Sequence, residues 1–308
     1  MTHAPPSRPP RRRRSPDRPD SGRGAVARRA LAAAALGACA LGGATDALAG
    51  SRLLATGGAT SVEGSAGGGL VPWAPLAGYA EFGEAGATAF ASAVRTDDVA
   101  LDVTGAAVAL DNRVELSVAR QRLDIDAVIP GETLEQAVLG MKLRLGGELP
   151  WSDAPQLSLG VQVKRLDEGA VPLAVGASRT AGVDVYLAAS KLWLDGPFGR
   201  HAFANATLRA TNANQGGLLG FGTAGDRGHE LVAEASAGLF LNRHWVIGAE
   251  YRQKPDRLGF ATEDDWKDVF VAWFPNKAVS VVAAWADLGS IAGLDGQSGA
   301  YLSLEVSR

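Results

Sequence analysis

Glu230-Leu231-Val232-Ala233-Glu234-Ala235-Ser236-Ala237-Gly238-Leu239-Phe240-Leu241 divides its residues between two faces. Leu231, Ala233, Ala235, Ala237, Leu239 and Leu241 share one face, while Glu230, Glu234, Ser236 and Gly238 fall on the other. Side chains of a strand alternate across it, so a period of two predicts a strand with one apolar face. The next stretch repeats the pattern, with Trp245, Ile247, Ala249 and Tyr251 against His244, Gly248, Glu250 and Arg252.

The pattern extends in both directions. Ala137, Leu139, Met141, Leu143 and Leu145 oppose Gly140, Lys142 and Arg144; Leu157, Leu159, Val161 and Val163 oppose Gln156, Ser158, Gln162 and Lys164. Near the end, Leu302, Leu304 and Val306 oppose Ser303, Glu305 and Ser307. A soluble antiparallel sandwich alternates as well, so length and connections must decide. Strands of about 10 residues suit a tilted bilayer crossing, whereas soluble strands average about 5 or 6.

Short turns are read at Asp111-Asn112, Asp195 to Gly199, Leu241-Asn242 and Pro275 to Lys277, and long polar loops near 124–134, 167–181, 212–228, 254–265 and 288–298. Short connections at one end and long ones at the other are a barrel's habit, with the short turns facing the periplasm. The alternation gives 13 stretches between residue 71 and Val306. An even number is expected, so either Arg52 to Thr60 adds a strand, making 14, or a weak stretch within 71–96 is no strand, leaving 12.

The first fifty residues differ in kind. They carry nine of the thirty Lys and Arg, three acids (Asp17, Asp20, Asp46), and an apolar run from Leu31 to Ala44 followed by Ala47-Leu48-Ala49. This is the build of a cleaved signal segment, residues 1–49, with a mature start near Gly50. A competing reading takes Leu36-Gly37-Ala38-Cys39 as a lipoprotein box that leaves Cys39 lipidated.

The mature part keeps 21 basic and 30 acidic residues, a net charge near −9, which argues against nucleic acid. Cys39 is the only cysteine, so the mature chain can form neither a disulfide nor a cysteine metal site. Beyond the leader there is no apolar run of 18 residues, hence no helix to span a bilayer. Membrane placement then requires closed strands, because only helices and barrels satisfy every backbone polar group in hydrocarbon. The expectation is an all-β, antiparallel up-and-down transmembrane barrel of 12–14 strands over residues 71–308, sited in the bacterial outer membrane. A Gly-rich segment, residues 50–70, precedes it as a first strand or a plug.

Several segments match a known pattern: Gly67-Gly68-Gly69-Leu70-Val71-Pro72-Trp73-Ala74, then Asn205-Ala206-Thr207-Leu208-Arg209-Ala210-Thr211-Asn212-Ala213-Asn214-Gln215, and Gly248-Ala249-Glu250-Tyr251-Arg252 with Lys254-Pro255-Asp256. Asp265-Trp266 and Ala272-Trp273-Phe274-Pro275-Asn276-Lys277 complete the set. Together they resemble an uncharacterised proteobacterial family, domain of unknown function family 3034, across nearly the whole mature chain. The resemblance implies an outer-membrane β-barrel and supplies no catalytic residues. One departure is the last residue: Arg308 stands in the outward register where barrels usually present an aromatic residue to the barrel-assembly machinery.

No catalytic, metal or cofactor set emerges. His201, His229 and His244 fall in separate stretches without metal-like spacing. The Gly clusters are followed by neither Lys-Ser nor Lys-Thr. His244 is expected to face the lumen beside Glu234 and Glu250, the only hint of a lipid hydrolase, and no nucleophile elbow accompanies it. Glu263, Asp264 and Asp265 read as an acidic knot in a solvated outer loop, able to share divalent cations with lipopolysaccharide.

Inward positions mix both signs: Lys142, Arg144, Lys164, Arg209 and Arg252 with Glu115, Asp184, Glu230, Glu234 and Glu250. Trp193, Trp245 and Trp273, each near a short turn, are the candidate aromatic girdle. Three functions follow: a narrow channel or transporter for an unidentified small solute, a structural or binding barrel closed by salt bridges and by residues 50–70, and, less favoured, an outer-membrane lipid hydrolase. Outer-membrane lipid and lipopolysaccharide are the expected partners. In a barrel with these faces, Leu239→Arg should impair assembly and Ser236→Arg should be mild.

Overall fold

The computed structural model describes residues 52–259, 262–291 and 293–308; the expected leader, with its cleavage site and Cys39, lies outside them. Twelve long strands follow one another: β1 (Ala85–Thr96), β2 (Ala100–Leu110), β3 (Val114–Asp124), β4 (Thr133–Gly146), β5 (Gln156–Leu166) and β6 (Ala181–Trp193). The second half holds β7 (Ala202–Thr211), β8 (Glu230–Phe240), β9 (Trp245–Arg252), β10 (Trp266–Asn276), β11 (Val279–Asp287) and β12 (Ser298–Ser307). Each pairs antiparallel with the next, and β12 returns to β1 from Gly299↔Thr96 to Ser307↔Thr88, so the sheet closes.

Alternation fixes the faces. On β8, Leu231 is 73% exposed and its neighbour Val232 only 2%. Leu139, Leu208, Val269 and Leu302 likewise point out, while Lys142, Arg209, Asp268 and Ser303 are buried within. A wall that shows hydrocarbon to the outside and polar groups to the inside suits a bilayer and no aqueous compartment.

The turns follow local chemistry. Asp111 and Asn112, between β2 and β3, both adopt positive φ, 54° and 46°, which these short polar residues tolerate. At the β8–β9 turn the Asn242 side-chain oxygen accepts hydrogen bonds from the backbone N–H groups of His244 (2.8 Å) and Trp245 (3.1 Å). Both barrel ends, Ala85 and Ser307, lie at this short-turn rim.

Twelve strands settle the choice left by the sequence: the stretch after residue 71 joins no wall. Every residue from Ala55 to Ala80 is buried, and the segment's backbone is paired only with itself in a two-residue ladder, Ala59↔Gly67 and Thr60↔Ala66. No helix among the described residues is long and apolar enough to cross a membrane.

Candidate functional site

Among the described residues the barrel lumen holds most of the buried polar side chains, and residues 55–80 occupy it. The segment starts at the short-turn rim, where the Arg52 guanidinium donates to the Asn112 side chain. It rises to a tight bend in which Ser61 N–H donates to Ser65 O (2.9 Å) and Gly64 N–H to Ser61 O (2.8 Å). Here Gly64, at φ +92°, passes so close to β3 that an added Cβ would sit 3.0 Å from Ala119 Cβ. The chain then descends, returning to the rim where Gly78 and Gly86 lie beside Arg308.

Glu63 sits in that bend, the only charged residue between Arg52 and Glu81. Its carboxylate lies 2.5 Å from Lys164 Nζ (β5), 2.6 Å from Arg252 Nη2 (β9) and 3.0 Å from Arg209 Nη1 (β7). The wall supplies two further acids: Asp184 (β6), 2.7 Å from Lys164 and 3.2 Å from Arg209, and Glu234 (β8), 2.5 Å from Arg209. Three cations therefore meet three carboxylates, all with side chains no more than 6% exposed. Desolvated charges are tolerated only when matched in this way. Without Glu63, the three cations would face two acids.

A second pair anchors the descending limb. Glu115 (β3) accepts hydrogen bonds from Ala66 N–H (3.2 Å) and Ala77 N–H (2.8 Å), and Lys142 (β4) donates to Ala66 O and Pro75 O, each at 2.9 Å. The two side chains are 3.4 Å apart. Glu250 (β9) receives Leu70 N–H (2.7 Å) and Ser236 Oγ–H (2.7 Å), and Trp73 Nε1–H donates to Ser236 Oγ (2.9 Å). Gln156 and Ser158 (β5) both donate to Ala74 O, at 2.9 and 2.6 Å. Since an irregular segment has no ladder of its own, its buried backbone groups must be satisfied by wall side chains, and these do so.

An open cleft of about 590 Å³ lies at the short-turn rim beside Asn112, Arg144 and Glu148, but the space left inside the lumen is small. Two apolar voids between segment and wall measure about 30 and 20 Å³, room for a water molecule each rather than a path. The long-loop mouth is covered as well. Asn214, Gln215, Leu218 and Leu219 fold inward and are buried, and Gly216 O accepts from Lys164 Nζ (3.1 Å) and Gln136 Nε2 (3.3 Å).

Of the polar positions expected to face the lumen, Glu115, Lys142, Lys164, Asp184, Arg209, Glu234, Glu250 and Arg252 are buried in it. Arg144 lies at the short-turn mouth, paired with Glu148, and Glu230 at the other mouth, 3.1 Å from Arg257. His244 corrects its expectation: it belongs to the β8–β9 turn, where Nδ1 bonds Phe274 O (2.7 Å) and Arg243 Nε donates to Nε2 (2.7 Å), away from Glu234 and Glu250. Ser236, where a mild effect of arginine is expected from an open lumen, is instead hydrogen-bonded to Trp73 of the inserted segment and to Glu250.

The acidic loop differs from a solvated knot. Glu263 is buried against Lys254 (2.9 Å), whose ammonium also donates to Gln215 Oε1 (3.3 Å) and Ser290 O (3.0 Å). Burial pushes the Lys254 ammonium down and the Glu263 carboxyl up, while each opposes the other's shift by proximity. Glu63, Gln215 and Lys254 were not among the positions that strand alternation marks, since all three lie outside strands. Trp193, Trp245 and Trp273 point outward at the short-turn end, and the rings of Trp245 and Trp273 stack with centroids 5.9 Å apart. Among the described residues no group of three His, Cys, Asp or Glu could hold a metal ion.

The family model described as "Protein of unknown function (DUF3034)" matches residues 56–305, from the inserted segment to the last strand. The chain belongs to this family. Membership thus takes in the inserted segment together with the wall. No curated protein matches it. Among solved structures, the NanC porin is similar at 10% identity and TM-score 0.42, covering 72% of this chain and 98% of that one. Omp33 from Acinetobacter baumannii is similar at 8% identity and TM-score 0.40 (72% and 96% covered), and outer membrane phospholipase A from Escherichia coli at 9% and 0.34 (71% and 89% covered). Likeness at these levels says nothing of activity; the closed register and apolar outer wall establish this family member as an outer-membrane β-barrel.

Proposed function

We propose that this family member is a closed outer-membrane barrel in which residues 55–80 serve as a plug, so that no solute crosses while the plug is seated. The observation that carries the reading is the buried cluster around Glu63, where one plug carboxylate completes the charge balance of five wall residues. A surface loop that merely drooped inward would not complete a charge set drawn from five strands.

A second reading, a gated channel for small solutes, is favoured by one observation. The plug is held by ion pairs and hydrogen bonds as well as by apolar contacts such as Trp73 on Phe203, and no strand ladder ties it to a wall whose polar groups, Lys164, Arg209, Asp184 and Glu234 among them, would line a wet path once it left. With both signs on the wall, such a path would select by size more than by charge. The hydrolase reading has no such support: among the described residues, His201, His229 and His244 bond backbone carbonyls and none bonds a serine.

The partners proposed are those of a barrel in its membrane. Outward apolar side chains meet lipid, Trp193, Trp245 and Trp273 mark the periplasmic interface as an aromatic girdle, and β12 presents Leu302, Leu304 and Val306 to the assembly machinery. The test is conductance of the purified full chain in a planar bilayer. Silence of the wild type at neutral pH is the expected result; steady unitary currents from the unmodified protein would overturn the plug.

A further inference from the structure

The lipid-facing wall is not uniform. On β8 the outward positions Leu231, Ala233, Ala235, Ala237 and Leu239 are apolar from end to end. On β3 the outward positions begin Val114, Leu116, Val118 and continue Arg120, Arg122, Asp124. The neighbouring strands carry charge at the same end: Arg95–Asp102 pair across β1 and β2, Glu135 stands on β4 and Arg165 on β5. Register makes this one patch, because Asp102, Arg122 and Glu135 are directly opposite one another in successive strands, and Ala137 separates Arg120 from Arg165. The patch lies at the long-loop end, the outer leaflet side in the orientation that short periplasmic turns impose.

Inside the patch the arginines have different duties. Arg120 is clamped between two carboxylates, 2.6 Å from Glu135 Oε2 and donating to Asp167 Oδ1 at 2.9 Å. Those acids are thereby neutralised. Arg122 reaches Glu135 only at 3.5 Å and leaves 56% of its side chain exposed, and Arg165, also exposed, acts on Asp167 by charge but makes no ion-pair contact among the described residues. Two guanidinium groups thus flank a fixed third with donors to spare. A guanidinium facing hydrocarbon is costly, whereas its planar fork matches a phosphate with two parallel hydrogen bonds and its stem can lie along apolar surface.

We infer that the outward face of β3–β5 is a docking site for the phosphorylated headgroup of an outer-leaflet glycolipid, with Arg122 and Arg165 as its phosphate ligands. The occupant follows from charge and place: the spare groups are cationic and bidentate, they stand at the leaflet where lipopolysaccharide carries its phosphates, and the rest of the wall offers no comparable cluster, Lys267 being paired with Asp287 at 3.2 Å.

Native mass spectrometry of the folded full chain with added bisphosphorylated lipid A tests this. The wild type should retain the lipid, and R122E/R165E should bind it at least about tenfold more weakly, as loss of charge-assisted hydrogen bonds implies. K267E should bind like the wild type, and dephosphorylated lipid A should bind the wild type as weakly as lipid A binds the double variant. Equal retention by wild type and R122E/R165E, or equal binding of the two lipids, overturns the site. So does a wild type that ignores lipid A and instead dimerises through this face. If R122E/R165E does not fold, R122Q/R165Q gives the same comparison.

Discussion

Replacing Glu63 by glutamine removes one negative charge and little volume from a site closed off from solvent. Lys164, Arg209 and Arg252 then face only Asp184 and Glu234, and the excess cation is within a cluster whose side chains are at most 6% exposed. Breaking one partner out of a buried ion pair costs about 3–5 kcal/mol. The amide still accepts hydrogen bonds, so a value near the lower limit, about 3 kcal/mol, applies. That energy is lost only while the plug is seated, so it falls on the seated-to-released ratio. At about 1.4 kcal/mol per tenfold, release becomes more frequent by roughly a hundredfold. Planar-bilayer recordings should show brief openings in E63Q where the wild type is silent. Adding Lys164→Met, which restores the balance of charge, should bring the openings down again, the signature of coupling rather than of general damage. An E63Q barrel as silent and as heat-resistant as the wild type would refute the reasoning.

Leu239→Arg places a cation against lipid and should cost about 2–4 kcal/mol near the midplane, read as loss of the heat-modifiable folded band. Ser236→Arg should be comparably harmful, because it evicts Trp73 and Glu250 from their hydrogen bonds; folding like the wild type would show that the inserted segment does not fill the lumen beside β8. Gly68→Ala brings a Cβ to within 1.9 Å of Glu250 Oε1, and should loosen the plug by about 1–3 kcal/mol through overpacking, seen as conductance in a barrel that still folds. Single-tryptophan variants retaining Trp193, Trp245 or Trp273 should be quenched by lipids brominated near the headgroup and little by those brominated at the chain ends; the reverse order would remove the girdle.

The wall was legible because a closed sheet demands alternation at every strand, and Leu231 to Leu241 or Leu157 to Val163 could satisfy that demand in only one register. The turns were legible through Asp111, Asn112 and Asn242, whose chemistry belongs to tight reversals. Period two says which way a residue points but nothing about what it meets. Lys164, Arg209 and Arg252 could be assigned to the inside, yet their principal partner lay more than a hundred residues upstream in a Gly-rich run without periodicity. One signal was present: a lone acid, Glu63, between Arg52 and Glu81 in a stretch of small residues too polar for lipid and too irregular for a strand. His244 misled because its parity is that of an inward residue, while it lies in the turn, one residue before β9 begins at Trp245.

The hydrogen bond between Arg252 and Glu63 spans 189 positions of sequence. The segment that bears Glu63 runs directly into β1, and β1 is also the lip that must zip to β12 for the cylinder to seal. The segment can therefore find its full set of neighbours only once the strands that bear Lys164, Arg209 and Arg252 are in place. One closure thus serves two ends: the zipping of β1 to β12 that seals the wall also fixes the stem from which the inserted segment hangs.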